Sequence, residues 1–360
     1  MRCRSSLQAS LVALAAGRRC GQYRRARRPR TRRSPVPDSP TSAVIERQEP
    51  AAGKPAVTYR QAGDRAILIE YGEAEFDLTL NFTVHAVDDA LRAHPAAGIV
   101  ETAAGFRSIL VRYEPSEIAP GDLLEHMHGI HAGLGSQREM RIPSRLVHLP
   151  VAFSDAQTRA AVERYINTIR ADAPNCEGGY NLDYVIRYNG LDGFEALVEA
   201  VTETEQWTGF IGFFPGLPFM FPLDPRHALV LPKYNPTRTW TPEGAVGIGG
   251  PCWAIYPVES AGGYQLVGRT IPIYDLAQRN EAFRDNPLLM RAGDRIRFHC
   301  VEEAELLEAF ADVHADRYRY RIEDGVFDVG AYLDWLPEVA DEAARRRAIR
   351  EAAAAATPVP

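Results

Sequence analysis

The chain has 360 residues, 46% hydrophobic and 24% charged with a formal net charge of -6, the composition of a soluble globular protein long enough for two ordinary domains. Its longest apolar run near the N-terminus, Leu11 to Gly17, falls far short of the roughly 20 residues a bilayer helix needs, so no membrane association is expected. Five scattered cysteines (Cys3, Cys20, Cys176, Cys252 and Cys300) without a C-x-x-C pair argue against a disulfide framework and a structural zinc site, and a reducing, cytoplasmic setting fits.

Residues 1–55 read as a disordered basic leader. Eleven arginines precede the first acid, Asp38, while Pro35, Pro37, Pro40 and Pro50 interrupt any helix. Such a leader resembles an organelle transit peptide, which would make the protein mitochondrial; the same composition arises when a GC-rich upstream stretch is translated from an early start, and this reading is preferred. The stretch lacks apolar periodicity, so no nucleic-acid partner is expected.

Residues 56–143 form an N-terminal α+β domain on this reading. Strands are predicted at Val57–Tyr59, Ala66–Glu70, Ile99–Thr102 and Ser108–Tyr113, with helices at Leu78–Ala93 and Gly121–Leu134. The alternation RSILVRY has the period of a half-buried strand, whereas Leu80, Val84, Val87 and Leu91 recur at helical spacing. An open sandwich with helices on one sheet face follows. Residues 144–300 begin with a strand at Leu146–Phe153. Ser154 and Asp155 offer N-caps for a helix Gln157–Ala171, followed by a loop, a strand Tyr184–Tyr188, a helix Gly193–Thr204 and closely spaced short strands that suggest a mainly β barrel or sandwich rather than a parallel sheet. Residues 301–360 read as a helical, acidic tail that docks or frays.

Chemistry concentrates between Gly209 and Tyr274, where glycine, proline, aromatic and cationic residues mix as a ligand pocket requires. The chain has two lysines, Lys54 and Lys233, against thirty-nine arginines. Lysine inside LPKYNPTRTW is therefore notable, since an ammonium does different work from a guanidinium fork. Partly desolvated beside Arg238, Lys233 would lose proton affinity and could relay protons or polarise a carbonyl; as a surface lysine after a strand it would do neither. In SAGGYQLVGRT, strand alternation places Gln265 and Arg269 on one face, a pair suited to a carboxylate or ureido oxygen, or else an exposed barrel hairpin. GAVGIGG has neither dinucleotide nor phosphate-loop spacing. His126, His128 and His131 do not share a helical face and read as a solvated surface rather than a metal set.

KYNPTRTWTPEGAVGIGG followed by GGYQLVGRT closely resembles the carboxyltransferase C/D region of urea carboxylase, also called allophanate hydrolase subunit 1. Upstream blocks such as VTYRQAGDRAILIEYG, GFRSILVRYEP, VERYINTIRADAPNC and LDPRHAL extend the likeness over about residues 57 to 335. Two related groups, the 5-oxoprolinase B component and the KipI-like kinase inhibitors, usually carry arginine at the Lys233 position and a histidine near Val201; this chain has neither. GFFPGLPFM nevertheless resembles the stand-alone proteins. The resemblance implies an α+β domain followed by a cyclophilin-like barrel, completed by a carboxyltransferase A/B (allophanate hydrolase subunit 2-like) chain. It implies no covalently bound cofactor here: carboxybiotin comes from a separate biotin carrier protein, and ATP is used by a separate biotin carboxylase. The implied reaction is carboxyl transfer to urea or a related amide or guanidine. Arg238 or Arg269 would stabilise the biotin ureido anion, Lys233 and Asn235 would hold the acceptor carbonyl, and Tyr234, Trp240 and Tyr264 would cover the ring. The alternatives are a 5-oxoprolinase or allophanate hydrolase component, and a KipI-like binding module that needs no partner chain.

Overall fold

The structure, a computed structural model, describes residues 42–360, so most of the expected leader lies outside the described residues. Its last part needs correcting. Val44–Gln48 (β1) is a strand, paired antiparallel with Val57–Gln61 (β2). Only Val44, Glu46 and Gln48 are half-buried while Ile45 and Arg47 face solvent, so this edge strand is held by one backbone ladder and lacks the apolar pattern that would announce it.

Ala66–Tyr71 (β3), Leu78–Ala93 (α1), Ile99–Ala104 (β4), Ser108–Tyr113 (β5) and Pro120–Gly133 (α2) complete the N-terminal layer. The sheet runs β1-β2-β3-β5-β4. Tyr59, Ile67, Ile69 and Val111 of its strands pack against Val84, Val87 and Leu91 of α1 and Leu123 and Met127 of α2. The helical spacing read from the sequence is thus the core-facing stripe. Asp77 caps α1, accepting from Thr79 N at 2.8 Å.

Arg141–Pro143 (β6) leads into Leu146–Phe153 (β7), the strand on which the second layer is built. Three helices follow: Ala156–Thr168 (α3), Asn181–Asn189 (α4) and Phe194–Thr202 (α5). Then come Gln206–Ile211 (β8), Pro218–Pro222 (β9), Arg238–Thr241 (β10), Ala245–Gly249 (β11), Cys252–Ile255 (β12), Ser260–Gly262 (β13), Gln265–Arg269 (β14) and Arg295–Cys300 (β15). Around the sheet the order is β7-β14-β11-β12-β9-β8-β15, and β15 pairs with β7 again, in parallel, closing a seven-stranded barrel. Val147, Leu149, Val246, Ile248, Trp253, Val267 and Phe298 fill it. The segment expected as a strand, Tyr184–Tyr188, lies inside α4 instead. Its buried residues, Asn181, Leu182, Tyr184, Val185 and Asn189, fall at helical rather than alternating spacing, and Gly190 ends it in the left-handed conformation at φ 62°.

The tail is not purely helical either. Between Glu303–His314 (α6) and Val329–Ala356 (α7), Arg321–Glu323 (β16) pairs antiparallel with β7, and Val326–Asp328 (β17) with β6. The alternation in YRYRI is a strand signal too short to stand out beside two helices. α7 then docks on α4: Arg350 Nη1 donates to Ala228 O at 2.6 Å and Tyr184 Oη to Pro358 O at 3.0 Å. The two layers are joined through buried polar groups of α1. Asn81 donates to the carbonyls of Phe106 (2.7 Å) and Gly209 (3.1 Å) and accepts from Trp207 Nε1 (2.7 Å), while His85 Nε2 meets Gly209 O at 3.0 Å.

Candidate functional site

The segment after Leu231 is stitched to the barrel wall at both ends. Leu231 and Gly250 exchange backbone hydrogen bonds at 3.0 and 2.6 Å, and Tyr234 N donates to Gly263 O at 2.7 Å. β10 and β13 pair as a two-stranded ribbon, Arg238 opposite Gly262. Between this ribbon, β9 and β12 opens a cleft of about 160 Å³, lined by Lys233, Tyr264, Phe213, Phe219, Tyr256 and the glycines 262 and 263 among others. A Cβ at Gly262 would collide with the Tyr256 ring, so glycine there keeps the cleft open. Lys233 is exposed and holds its Nζ 5.4 Å from the centre of the Tyr264 ring, within reach of a cation–π contact. Phe219 meets Tyr264 edge to face at 6.4 Å.

Beneath the cleft lies a second tier. Arg238 is 1% exposed, donates to Tyr264 O at 2.6 Å and Thr241 Oγ1 at 3.1 Å, and lays its guanidinium 4.4 Å from the centre of the Tyr234 ring. No carboxylate pairs with it among the described residues, and its Nε has no partner. Tyr234 donates to Asn181 Oδ1 at 2.5 Å, and burial drives its hydroxyl well above the usual phenol range. Gln265, fully buried, donates to Pro232 O at 2.8 Å and accepts from Asn175 at 2.9 Å, so its amide is committed. Cys252, beside Lys233 and Tyr264, is pushed up to about 11 by burial, which keeps the thiol protonated.

The expected convergence of three cations therefore does not form: Lys233 and Tyr264 line the cleft, whereas Arg238 and Arg269 do not. Arg269, 7% exposed, is turned toward Asp155 Oδ1 at 3.4 Å and the Phe310 ring at 5.0 Å. A bulge in β14 also parts Arg269 from Gln265. Val246 pairs with Gly268 but Gly247 with Leu266, so Val267 is an extra residue and the alternation flips across it. Gln265 shares the face of Ile248 and Arg269 that of Ala245. Asn235 sits on an exposed turn, its carbonyl accepting from Arg170 at 2.9 Å, and Trp240 is half-buried with Arg164 5.8 Å from its ring centre. The sequence reading missed Phe213, Phe219 and Tyr256; their one signal was the aromatic density of GFFPGLPFM and its neighbours.

The histidine run also differs from the solvated surface expected of it. Tyr59 Oη lies 2.7 Å from His131 Nδ1 and Tyr71 Oη 2.9 Å from Nε2, while His128 faces Glu46 at 3.2 Å. Among the described residues no group of three or more histidine, cysteine or acidic side chains is placed to hold a metal, and no helix is long and apolar enough to cross a membrane.

Residues 57–284 match the family described as carboxyltransferase domain, subdomain C and D. The chain belongs to this family. It is 38% identical to urea amidolyase of Lachancea kluyveri over 286 residues, covering 79% of this chain and 15% of the relative. With the B component of 5-oxoprolinase from Bacillus subtilis it shares 29% identity, over 68% of this chain and 93% of that protein. The crystal structure of the K. lactis urea amidolyase superposes with a TM-score of 0.76 at 34% identity, over 86% of this chain and 19% of that one. This carboxyltransferase C/D chain thus spans under a sixth of the length of the urea amidolyase from Lachancea kluyveri.

Proposed function

We propose that this chain is the C/D half of a biotin-dependent carboxyltransferase that places a carboxyl group on a nitrogen of urea or a related amide or guanidine. What carries the reading is the cleft itself: an exposed ammonium, Lys233, set against Tyr264 above a buried arginine without a carboxylate partner. The likeness to urea amidolyase supports the choice of acceptor class. The residues suit a ureido ring. Aromatic walls at Phe219, Tyr256 and Tyr264 cover a flat ring, and Lys233 is placed to donate to a carbonyl or carboxyl oxygen. Carboxybiotin, brought by a separate carrier protein, would supply the carboxyl group there.

In the transfer, a nitrogen–carbon bond on the donor breaks, one forms on the acceptor, and the proton given up by the acceptor nitrogen goes to the donor nitrogen that has lost its carboxyl group. Lys233 holds the oxygen on which negative charge grows. Arg238 contributes fixed positive charge from below, through a medium where it is weakly screened. Tyr264 and Phe219 exclude water from the reacting atoms. Asn235, on an exposed turn outside the cleft lining, would help to hold the carbonyl of an acceptor brought by the A/B half. The partners are an A/B carboxyltransferase chain, a biotin carboxylase that uses ATP, and a biotin carrier.

The test reconstitutes the chain with those partners. Lys233→Ala should abolish urea-dependent decarboxylation of the loaded carrier while the melting temperature holds; near-normal turnover rejects the assignment. A second reading, a 5-oxoprolinase component, draws on the near full-length match to the Bacillus subtilis protein. Turnover of 5-oxoproline but not urea by the same complex would favour it.

A further inference from the structure

The chain's two lysines each line a cavity. Lys233 belongs to the cleft above. Lys54 lines a separate cavity of about 330 Å³ in the N-terminal layer, bounded by the segment after β1, the C-terminal turn of α2 and Met140, with no residue in common with the cleft. We propose that this cavity binds a compact apolar monocarboxylate, its carboxylate on Lys54 Nζ and its body against Val57, Leu134 and Met140.

Lys54 Nζ donates to His131 O at 2.8 Å, which pins the ammonium to the wall and leaves it further donors. Among the described residues no acid lies within ion-pair distance of it, and the acids nearby have partners of their own. Glu49, which also lines the cavity, pairs with Arg47 Nε at 3.3 Å, Glu46 faces His128 at 3.2 Å, and Glu139, near enough to feel the Lys54 charge, accepts from Ser136 N and Oγ at 2.7 and 2.9 Å. The imidazole of His131 cannot compete for an anion. Both its nitrogens are taken by the hydroxyls of Tyr59 and Tyr71, and burial, reinforced by His128 and Lys54, holds it neutral, down to about 4. One unpaired cation among apolar walls, in a volume at the lower end of small-ligand sites, selects a small anion with an apolar body. An uncharged analogue would leave the ammonium facing an apolar ligand without a counter-charge.

Benzoate serves as the probe, titrated into the full-length protein by calorimetry, with the ring resonances of His131 followed by NMR. Saturable binding at one site that shifts those resonances is expected. Lys54→Met should weaken it by at least about tenfold, Lys54→Arg should restore most of it, and benzamide should bind the wild type about tenfold worse than benzoate. Met140→Trp, which fills the cavity from another wall, should abolish binding and guards against a folding defect in Lys54→Met. The benzoate-induced shift of the His131 resonances should persist in Lys233→Met, which separates this cavity from any ring binding at the cleft. Absence of saturable binding, equal affinity in Lys54→Met, or loss of the His131 shift in Lys233→Met would each overturn the proposal.

Discussion

Arg238 is where charge and burial are most at odds. A guanidinium removed from water without a carboxylate is costly, and here it is offset only by a carbonyl, a hydroxyl and the face of Tyr234. A group kept under those terms is expected to serve the cleft above it through its field. Arg238→Met should therefore lower carboxyl transfer by about tenfold or more, while the unfolding free energy moves by less than about 2 kcal/mol. Paired turnover and urea-melt measurements separate the two effects. At this scale the sequence was partly legible. Lysine in an arginine-rich chain pointed to Lys233, and Tyr264, expected to cover a ring, lines the same cleft. The pairing of Gln265 with Arg269 failed because a bulge leaves no mark in a period-two pattern, and Phe219 and Tyr256 went unnamed because an aromatic on a strand looks the same whether it faces a core or a cleft.

Among the elements, α4 and α7 depend on each other. Gly190 closes α4 in the left-handed region, and a Cβ there would meet Ile349 Cγ2 at 2.9 Å and Ala353 Cβ at 3.1 Å of α7. Gly190→Ala adds a strained backbone to an overfilled contact and should cost about 1–3 kcal/mol in urea unfolding. The loss should be accompanied by faster proteolysis near residue 350. The N-terminal layer's predicted helices and strands were found close to their observed bounds, since its helices show one apolar stripe and its strands alternate. α4 was misread because a nine-residue helix offers barely two turns of pattern, and β16 because its three residues borrow their order from β7. Local sequence could not carry either.

Across the whole molecule, the junction between layers sets the response to acid. Burial holds His85 down to about 4, against an ordinary value of 6.5. Between those values the unfolded chain binds a proton that the folded chain does not, so the full contribution stands above about pH 6.5 and is lost as pH falls toward 4. About 2 kcal/mol should be gone by pH 5. His131, lowered in the same way, adds a loss of the same sign. Denaturant melts from pH 7 to 5 should show this slope, and His85→Gln should flatten it. The barrel carries a different consequence. β7 is completed along one side by β15, whose residues follow it by nearly 150 positions, and along the other by β14 and β16. During synthesis, then, the first strand of the barrel waits with its edges bare until β14, β15 and β16 have followed it out of the ribosome, and it is in that interval that a nascent chain is most exposed to mispairing with its neighbours.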